Sequence, residues 1–164
     1  RGVPLYSVLL GLEIEGEVEV GVVYFPALGE IVAAATGLGC WWNGRRAQLS
    51  TEADLGRGIV CHIDTASFER QGKGAAWERL QGASYYNAGW CDAYGYALVA
   101  TGRAEVALDP IVNIWDVAPF PPIFREVGGY FGDWGGNETI YGGEGLGTTG
   151  VLREDVLRVL AGDG

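Results

Sequence analysis

The feature that most constrains the fold is a run of short apolar segments in the first fifty residues, separated by turns too tight to hold a helix. The turn Glu15-Gly16-Glu17 has a central glycine, and Asn43-Gly44 is a strong signal for a type I′ hairpin turn. Strands are predicted over residues 3–14, 18–24, 30–36 and 40–42. This part of the chain therefore predicts an antiparallel meander, a kind of sheet that usually has helices packed on one face.

After about residue 50 the pattern changes to an alternation of short strands and helices. Strands are predicted over residues 58–63, 84–87, 104–108, 130–134 and 139–141, and helices over residues 74–80, 92–101, 117–127 and 154–160. Such alternation is typical of an α/β layer. We therefore predict two parts: residues 1–50, the remainder of an N-terminal antiparallel-sheet domain, and residues 51–164, a C-terminal α/β domain.

The charge of the chain limits the possible partners. A formal net charge of −10 with no basic stripe argues against binding of nucleic acid or of an anionic membrane surface. A phosphorylated substrate is still possible, because bound metal ions would reverse the local charge. No apolar run approaches the roughly 18 residues of a membrane span. The three cysteines show no CxxC spacing, which favours reduced thiols in a cytoplasmic protein.

Two carboxylates lie seven residues apart in the segment from Asp109 to Gly129. Asp109 closes a predicted strand, and Asp116 lies where a helix should begin, so both could point into one cleft. An aspartate at a helix start is a good cap, because its oxygen accepts a backbone N–H. It is equally a hard oxygen ligand of the kind that magnesium prefers. From the spacing alone, both interpretations of Asp116 stay open.

Three prolines complicate the helix predicted over residues 117–127. Pro119 falls in the first turn, where no backbone N–H is needed. Pro121 and Pro122 lie further in, and an interior proline costs about 3 kcal/mol or more and kinks the helix. The sequence therefore predicts a helix that is kinked or that begins late.

Trp115-Asp116, followed by the predicted helix and by Glu126-Val127-Gly128-Gly129, resembles the signature of the inositol monophosphatase family. Further resemblance lies in Gly37-Leu38-Gly39-Cys40-Trp41-Trp42-Asn43-Gly44 and in Thr148-Thr149-Gly150, so it covers nearly the whole chain. The segment Asp92-Ala93-Tyr94-Gly95-Tyr96, with Asp109-Pro110, is similar to the histidinol-phosphate phosphatase branch in particular. The resemblance implies an α+β or α/β layered sandwich (αβαβα) and the magnesium-dependent hydrolysis of phosphate monoesters, histidinol phosphate above all, in histidine biosynthesis.

The resemblance also implies roles for individual residues. Asp116 would bind a catalytic Mg2+ ion, and Asp109 aligns with the carboxylate that holds a substrate hydroxyl or amine. Asp92 either caps the helix that follows it or faces the substrate, and two acids facing the cation of histidinol phosphate make chemical sense. Trp90 and Cys91 flank this loop and are expected to line the pocket. The expected partner is a small phosphorylated metabolite, and the full-length protein is expected to be a cytoplasmic homodimer.

Four other titratable residues are expected to have structural roles. His62 lies in an apolar predicted strand, which favours a place in the core or at a sheet edge over catalysis. Asp64 follows that strand and is expected to form a turn. For Arg103 and Glu105 we expect surface or dimer contacts.

In the family, the remaining metal ligands come from an early helix and from an Asp-Pro-Ile-Asp-Gly-Thr loop that this sequence lacks. Gly2-Val3-Pro4 resembles the segment just after that loop. We therefore expect the chain to be the C-terminal portion of such an enzyme and to be inactive alone. Two alternatives stay open: a phosphatase of the same family that acts on inositol phosphate or another small phosphate monoester, and a non-catalytic binding or regulatory fragment.

Overall fold

The computed structural model describes residues 2–90 and 92–162, which form two five-stranded sheets. In the first sheet all neighbours are antiparallel and follow chain order: β1 (Val8–Ile14), β2 (Glu17–Phe25), β3 (Glu30–Ala35), β4 (Gly39–Trp42) and β5 (Arg45–Arg46). The predicted meander is confirmed. Asn43 and Gly44 have φ angles of 46° and 78°, the positive values that a type I′ turn requires.

The second sheet is mixed. Its strands are β6 (Ile59–His62), β7 (Tyr86–Ala88), β8 (Val106–Asp109), β9 (Gly129–Gly132) and β10 (Gly145–Thr149), in the spatial order β7-β6-β8-β10-β9. Strand β6 runs parallel to β7 and β8, and β10 runs antiparallel to β8 and β9. The strand predicted over residues 139–141 is wrong. That segment is a loop in which Tyr141 donates its backbone N–H to the Thr139 hydroxyl, at 3.0 Å.

Six helices cover or separate the sheets in the described part of the chain. They are α1 (Thr65–Arg70), α2 (Gly74–Ala83), α3 (Ala93–Ala100), α4 (Ile114–Val117), α5 (Phe120–Val127) and α6 (Arg153–Ala161). Helices α3 and α5 contact both sheets, so they form a layer between them. Helices α2 and α6 pack against each other on the far face of the second sheet. The layered α/β sandwich is confirmed.

Alternate residues of the second sheet supply the two hydrophobic clusters of the protein. Cys61 and Ala107 point toward α3, into a cluster that also contains Val23 and Phe25 of the first sheet. Val60, Val106 and Leu108 alternate with these residues along the strands and point toward α2 and α6 on the other face of the sheet. A single cluster thus joins the parts of the chain before and after residue 50.

The outer face of the first sheet is apolar and open to solvent. Its exposed side chains come from neighbouring strands and stand on the same side of the sheet: Val8, Leu10, Leu12, Tyr24, Ile31 and Trp41. The opposite face is buried against α3 and α5. No helix in the described residues is long and apolar enough to cross a membrane.

The predicted helix after Asp116 is split in two, as its prolines require. Helix α4 ends at Val117 and α5 begins at Phe120, so that Pro121 and Pro122 fall in the first turn, where no backbone N–H is needed. The break rests on Gly11 and Gly21, which are paired across β1 and β2. A Cβ atom on Gly11 would come within 2.6 Å of Ala118 Cβ, and one on Gly21 would overlap the backbone of residue 119.

Of the two residues expected to make surface or dimer contacts, Glu105 is not on the surface, and Arg103 is partly exposed. The Arg103 guanidinium pairs with Glu30 of β3 and lies 4.4 Å from the ring centroid of Trp42, so it ties the end of α3 to the first sheet. Glu105 is only 8% exposed and accepts the backbone N–H of Ile59 at 2.7 Å. The buried Glu105 carboxylate thus has a hydrogen-bond partner, which is the usual condition for burying a charge.

Candidate functional site

A cavity of about 330 Å³ opens where the end of β8 meets the starts of α3 and α4 and the edge of β1. Three carboxylates predicted from the sequence line it together: Asp92, Asp109 and Asp116. Tyr96 of α3 and Ser7 also reach its wall. We refer to this space as the acidic cavity. The loop after β8 carries the chain from Asp109 to Asp116 and keeps both acids in the same cavity as Asp92.

Asp116 has a structural partner and still has a free oxygen. It is the third residue of α4, and its Oδ2 atom accepts hydrogen bonds from the backbone N–H and the side-chain amide of Asn113, both at 3.0 Å. This contact fixes the start of the helix. Oδ1 accepts no hydrogen bond from the described residues, and the side chain is exposed in the acidic cavity. The helix-start and ligand interpretations of Asp116 are therefore compatible.

Asp109 is the last residue of β8 and is only 5% exposed. Burial raises the pKa of its carboxyl to about 7, the Tyr96 hydroxyl opposes that change, and the negative charges of Asp92 and Asp116 add to it. A cation in the acidic cavity would favour the ionised form of Asp109, because an opposite charge at short range stabilises a carboxylate. The site is therefore suited to a positively charged ligand.

Asp92 precedes α3 but forms no capping hydrogen bond within the described residues. Its φ angle is 54°, a backbone conformation that residues other than glycine seldom adopt. The pKa of its carboxyl is raised, mainly by burial of part of the group and then by the charge of Asp116. The carboxylate thus belongs to the acidic cavity and not to the helix end.

Other predicted residues lie elsewhere. Trp90 is 42% exposed and lines a separate apolar cavity with Leu5, Tyr94 and neighbouring residues. Cys91 lies outside the described residues. The centroid of the His62 ring lies 4.6 Å from that of Trp77, and its Nδ1 atom lies 2.8 Å from the backbone carbonyl of Ile63. Burial lowers the pKa of the His62 imidazole.

Asp64 has the structural role that its position predicted. Its carboxylate accepts the backbone N–H of Ala66 at 3.1 Å and binds Arg70 at 2.7 Å, so it caps α1.

The acidic cavity also contains a residue that we did not predict, Tyr96. Tyr96 lies in the first turn of α3, close in sequence to Asp92, and this proximity was the available signal.

The acidic cavity would supply only part of a metal site. Asp116 offers a hard carboxylate oxygen, the kind of ligand that suits magnesium. Within residues 2–90 and 92–162, however, no group of three or more His, Cys, Asp or Glu side chains is placed to hold a metal ion. The three aspartates share the acidic cavity without converging on one point. A complete ligand set is therefore not formed by the described residues.

Known proteins share both the sequence and the fold. The sequence profile of the inositol monophosphatase family matches residues 1–160. A histidinol-phosphatase of Chlorobaculum parvum is 41% identical over 146 residues, which cover 89% of this chain and 56% of that protein. A histidinol-phosphatase of Mycobacterium tuberculosis is 31% identical over 162 residues, covering 96% of this chain and 62% of that protein.

Solved structures agree with this similarity. An inositol monophosphatase of Thermotoga maritima superposes with a TM-score of 0.86 at 28% identity, over 98% of this chain and 63% of the other. The chain thus spans 56% and 62% of the length of the two curated relatives described above.

Proposed function

Because the chain belongs to the inositol monophosphatase family, we propose that the protein hydrolyses a phosphate monoester of a small metabolite, with histidinol phosphate as its best substrate. The observation that carries the proposal is the acidic cavity, in which Asp92 and Asp109 stand beside Asp116. The 41% identity to a histidinol-phosphatase supports the same substrate.

The three acids would divide the work between the two ends of the substrate. Asp116 would supply one ligand of a magnesium ion, which when bound neutralises phosphoryl charge and activates water. Asp92 and Asp109 would accept hydrogen bonds from the ammonium group of the alcohol part. Two unit charges 4 Å apart attract by about 1 to 4 kcal/mol between bulk water and a protein surface. A neutral polyol gains no such attraction, so the cavity favours a cationic substrate.

The proposal is tested by the release of phosphate by the complete product of the gene, with magnesium present. Histidinol phosphate, inositol 1-phosphate and fructose 1,6-bisphosphate form the panel, and we expect kcat/KM to be at least about tenfold higher for histidinol phosphate, which corresponds to roughly 1.4 kcal/mol. A chelator should abolish turnover, and added magnesium should restore it. If no ester releases phosphate, the proposed function is wrong and a binding or regulatory role is favoured.

A second candidate substrate within the family is inositol phosphate. A relative from Thermotoga maritima, named a fructose-1,6-bisphosphatase/inositol-1-monophosphatase, is 31% identical over 166 residues. Preference for inositol 1-phosphate in the same panel would favour this candidate. The homodimer expected of the full-length protein stays a prediction, which sedimentation of the complete gene product would check.

A further inference from the structure

Tyr96 has a hydroxyl group that the fold alone does not use. Its ring is 1% exposed and packs against Phe120 and Phe131, with ring centroids 4.7 Å and 5.4 Å away. Tyr96 lines the acidic cavity, and its buried hydroxyl has no hydrogen-bond partner among the residues that the structure describes. A buried tyrosine hydroxyl normally has a partner. A hydrogen-bond acceptor in the acidic cavity would supply the missing partner of this hydroxyl.

The neighbouring strand leaves room for this hydroxyl. Gly145 is paired with Asp109 across β8 and β10. A Cβ atom at Gly145 would overlap the Tyr96 hydroxyl, so any other residue there would displace it. The hydroxyl therefore occupies space beside Asp109 that a side chain on β10 would otherwise fill.

Resting on the proposed function, we propose that Tyr96 is a positioning residue that acts through Asp109. Its hydroxyl donates a hydrogen bond to one oxygen of the Asp109 carboxylate, and the other oxygen accepts from the ammonium or hydroxyl group of the substrate. The contact orients Asp109 and keeps it charged while the alcohol part is bound.

Two features of the site support this arrangement. The Tyr96 hydroxyl faces Asp109 closely enough to oppose the effect of burial on the pKa of that carboxyl, although the two groups form no hydrogen bond of ordinary geometry in the structure. The aromatic packing of the Tyr96 ring fixes the direction of its hydroxyl, because Phe120 and Phe131 restrict the ring. A rigid donor holds an acceptor in one geometry better than a mobile one does.

The test compares Tyr96→Phe with Tyr130→Phe in the complete gene product. For Tyr96→Phe we expect KM for histidinol phosphate to rise about tenfold, kcat to stay within about twofold, and Tm not to fall, because the deleted hydroxyl has no partner in the fold. Tyr130 is also 1% exposed, but its hydroxyl donates to the Asp133 carbonyl at 2.6 Å and lies 3.2 Å from that of Asn137. Tyr130→Phe should therefore lower Tm and leave KM unchanged.

Calorimetry with histidinol, the dephosphorylated alcohol, separates this inference from the proposed function, because binding needs no hydrolysis. We expect Kd to rise about tenfold in Tyr96→Phe alone. Equal KM and Kd values in Tyr96→Phe and wild type would overturn the role of Tyr96. If the wild type hydrolyses no ester, the proposed function fails and the histidinol titration still decides: a weaker Kd in Tyr96→Phe supports the role, and an equal Kd or no binding overturns it.

Discussion

Asp109 couples the stability of the protein to pH. Its carboxyl has a pKa of about 7 in the folded state against an ordinary value of 3.8, so between these pH values the folded protein keeps a proton that the unfolded chain has released. Stability therefore falls as pH rises through this window. We expect Asp109→Asn to raise the free energy of unfolding at pH 8 by roughly 2 to 4 kcal/mol and by nearly nothing at pH 4. Urea unfolding of the metal-free protein at both pH values measures this, and an equal gain at both would contradict it.

A substitution at Asp116 can separate the effect of its charge from its structural role at the start of α4. In the complete gene product, Asp116→Asn retains an oxygen that can accept from Asn113 but removes the charge that the proposed magnesium ion requires. We expect kcat/KM to fall by about 100-fold or more, since even the outer partners of metal ligands cost 10- to 100-fold, while Tm changes little. Asp64→Ala is the control: it removes the cap of α1, so Tm should fall while kcat/KM stays unchanged. Full activity of Asp116→Asn would remove Asp116 from the site.

Single residues of the site were predictable to different degrees. Asp109 and Asp116 stand at a strand end and a helix start, positions that a sequence pattern can identify. Tyr96 shares an apolar face of the α3 sequence with Ala93 and Ala97, a pattern that predicts a core residue. Its ring is indeed buried, but no periodicity shows that the same residue also lines a cavity built by other elements.

At the scale of elements, the break between α4 and α5 depends on two glycines of the first sheet. Gly21→Ala would force the backbone of residue 119 away from β2 and move α4 with it. We expect Tm to fall by several degrees and histidinol phosphate turnover to fall more than tenfold, because a shift of about 1 Å in a site can cost 100-fold. In α2, Gly82 has nothing within 4 Å of a Cβ, so Gly82→Ala should raise stability by up to about 1 kcal/mol. Thermal melts of both variants check the opposite signs.

Strands rich in apolar residues were predictable and β10 was not. Its sequence, Gly-Leu-Gly-Thr-Thr, lacks the run of large side chains that marks a buried strand, although all five residues are buried. The glycines are required by tertiary packing: a Cβ at Gly147 would lie within 2.5 Å of the Phe124 ring. A local pattern cannot show that neighbouring helices already fill this space.

At the scale of the whole molecule, the open apolar face of the first sheet should govern the behaviour of the 164-residue chain in solution. Contiguous apolar patches on a protein surface promote association. We expect the chain to self-associate with rising concentration, and Leu10→Lys with Ile31→Lys to reduce this. Val151 is 61% exposed in the turn between β10 and α6, outside the first sheet, so Val151→Lys should have no effect. Sedimentation velocity distinguishes the variants, and identical profiles would contradict the prediction.

The acidic cavity is lined from both sheets. Asp116 lies on α4, which packs against β1 of the first sheet, and Asp109 is the last residue of β8 in the second sheet. A small slip between the layers would separate the carboxylates without breaking a helix or a strand. For the complete gene product we therefore expect turnover to be lost several degrees below the temperature at which far-ultraviolet circular dichroism changes. A preparation with a native circular dichroism spectrum can therefore lack activity. Turnover is the better measure of whether a preparation has been heated too far.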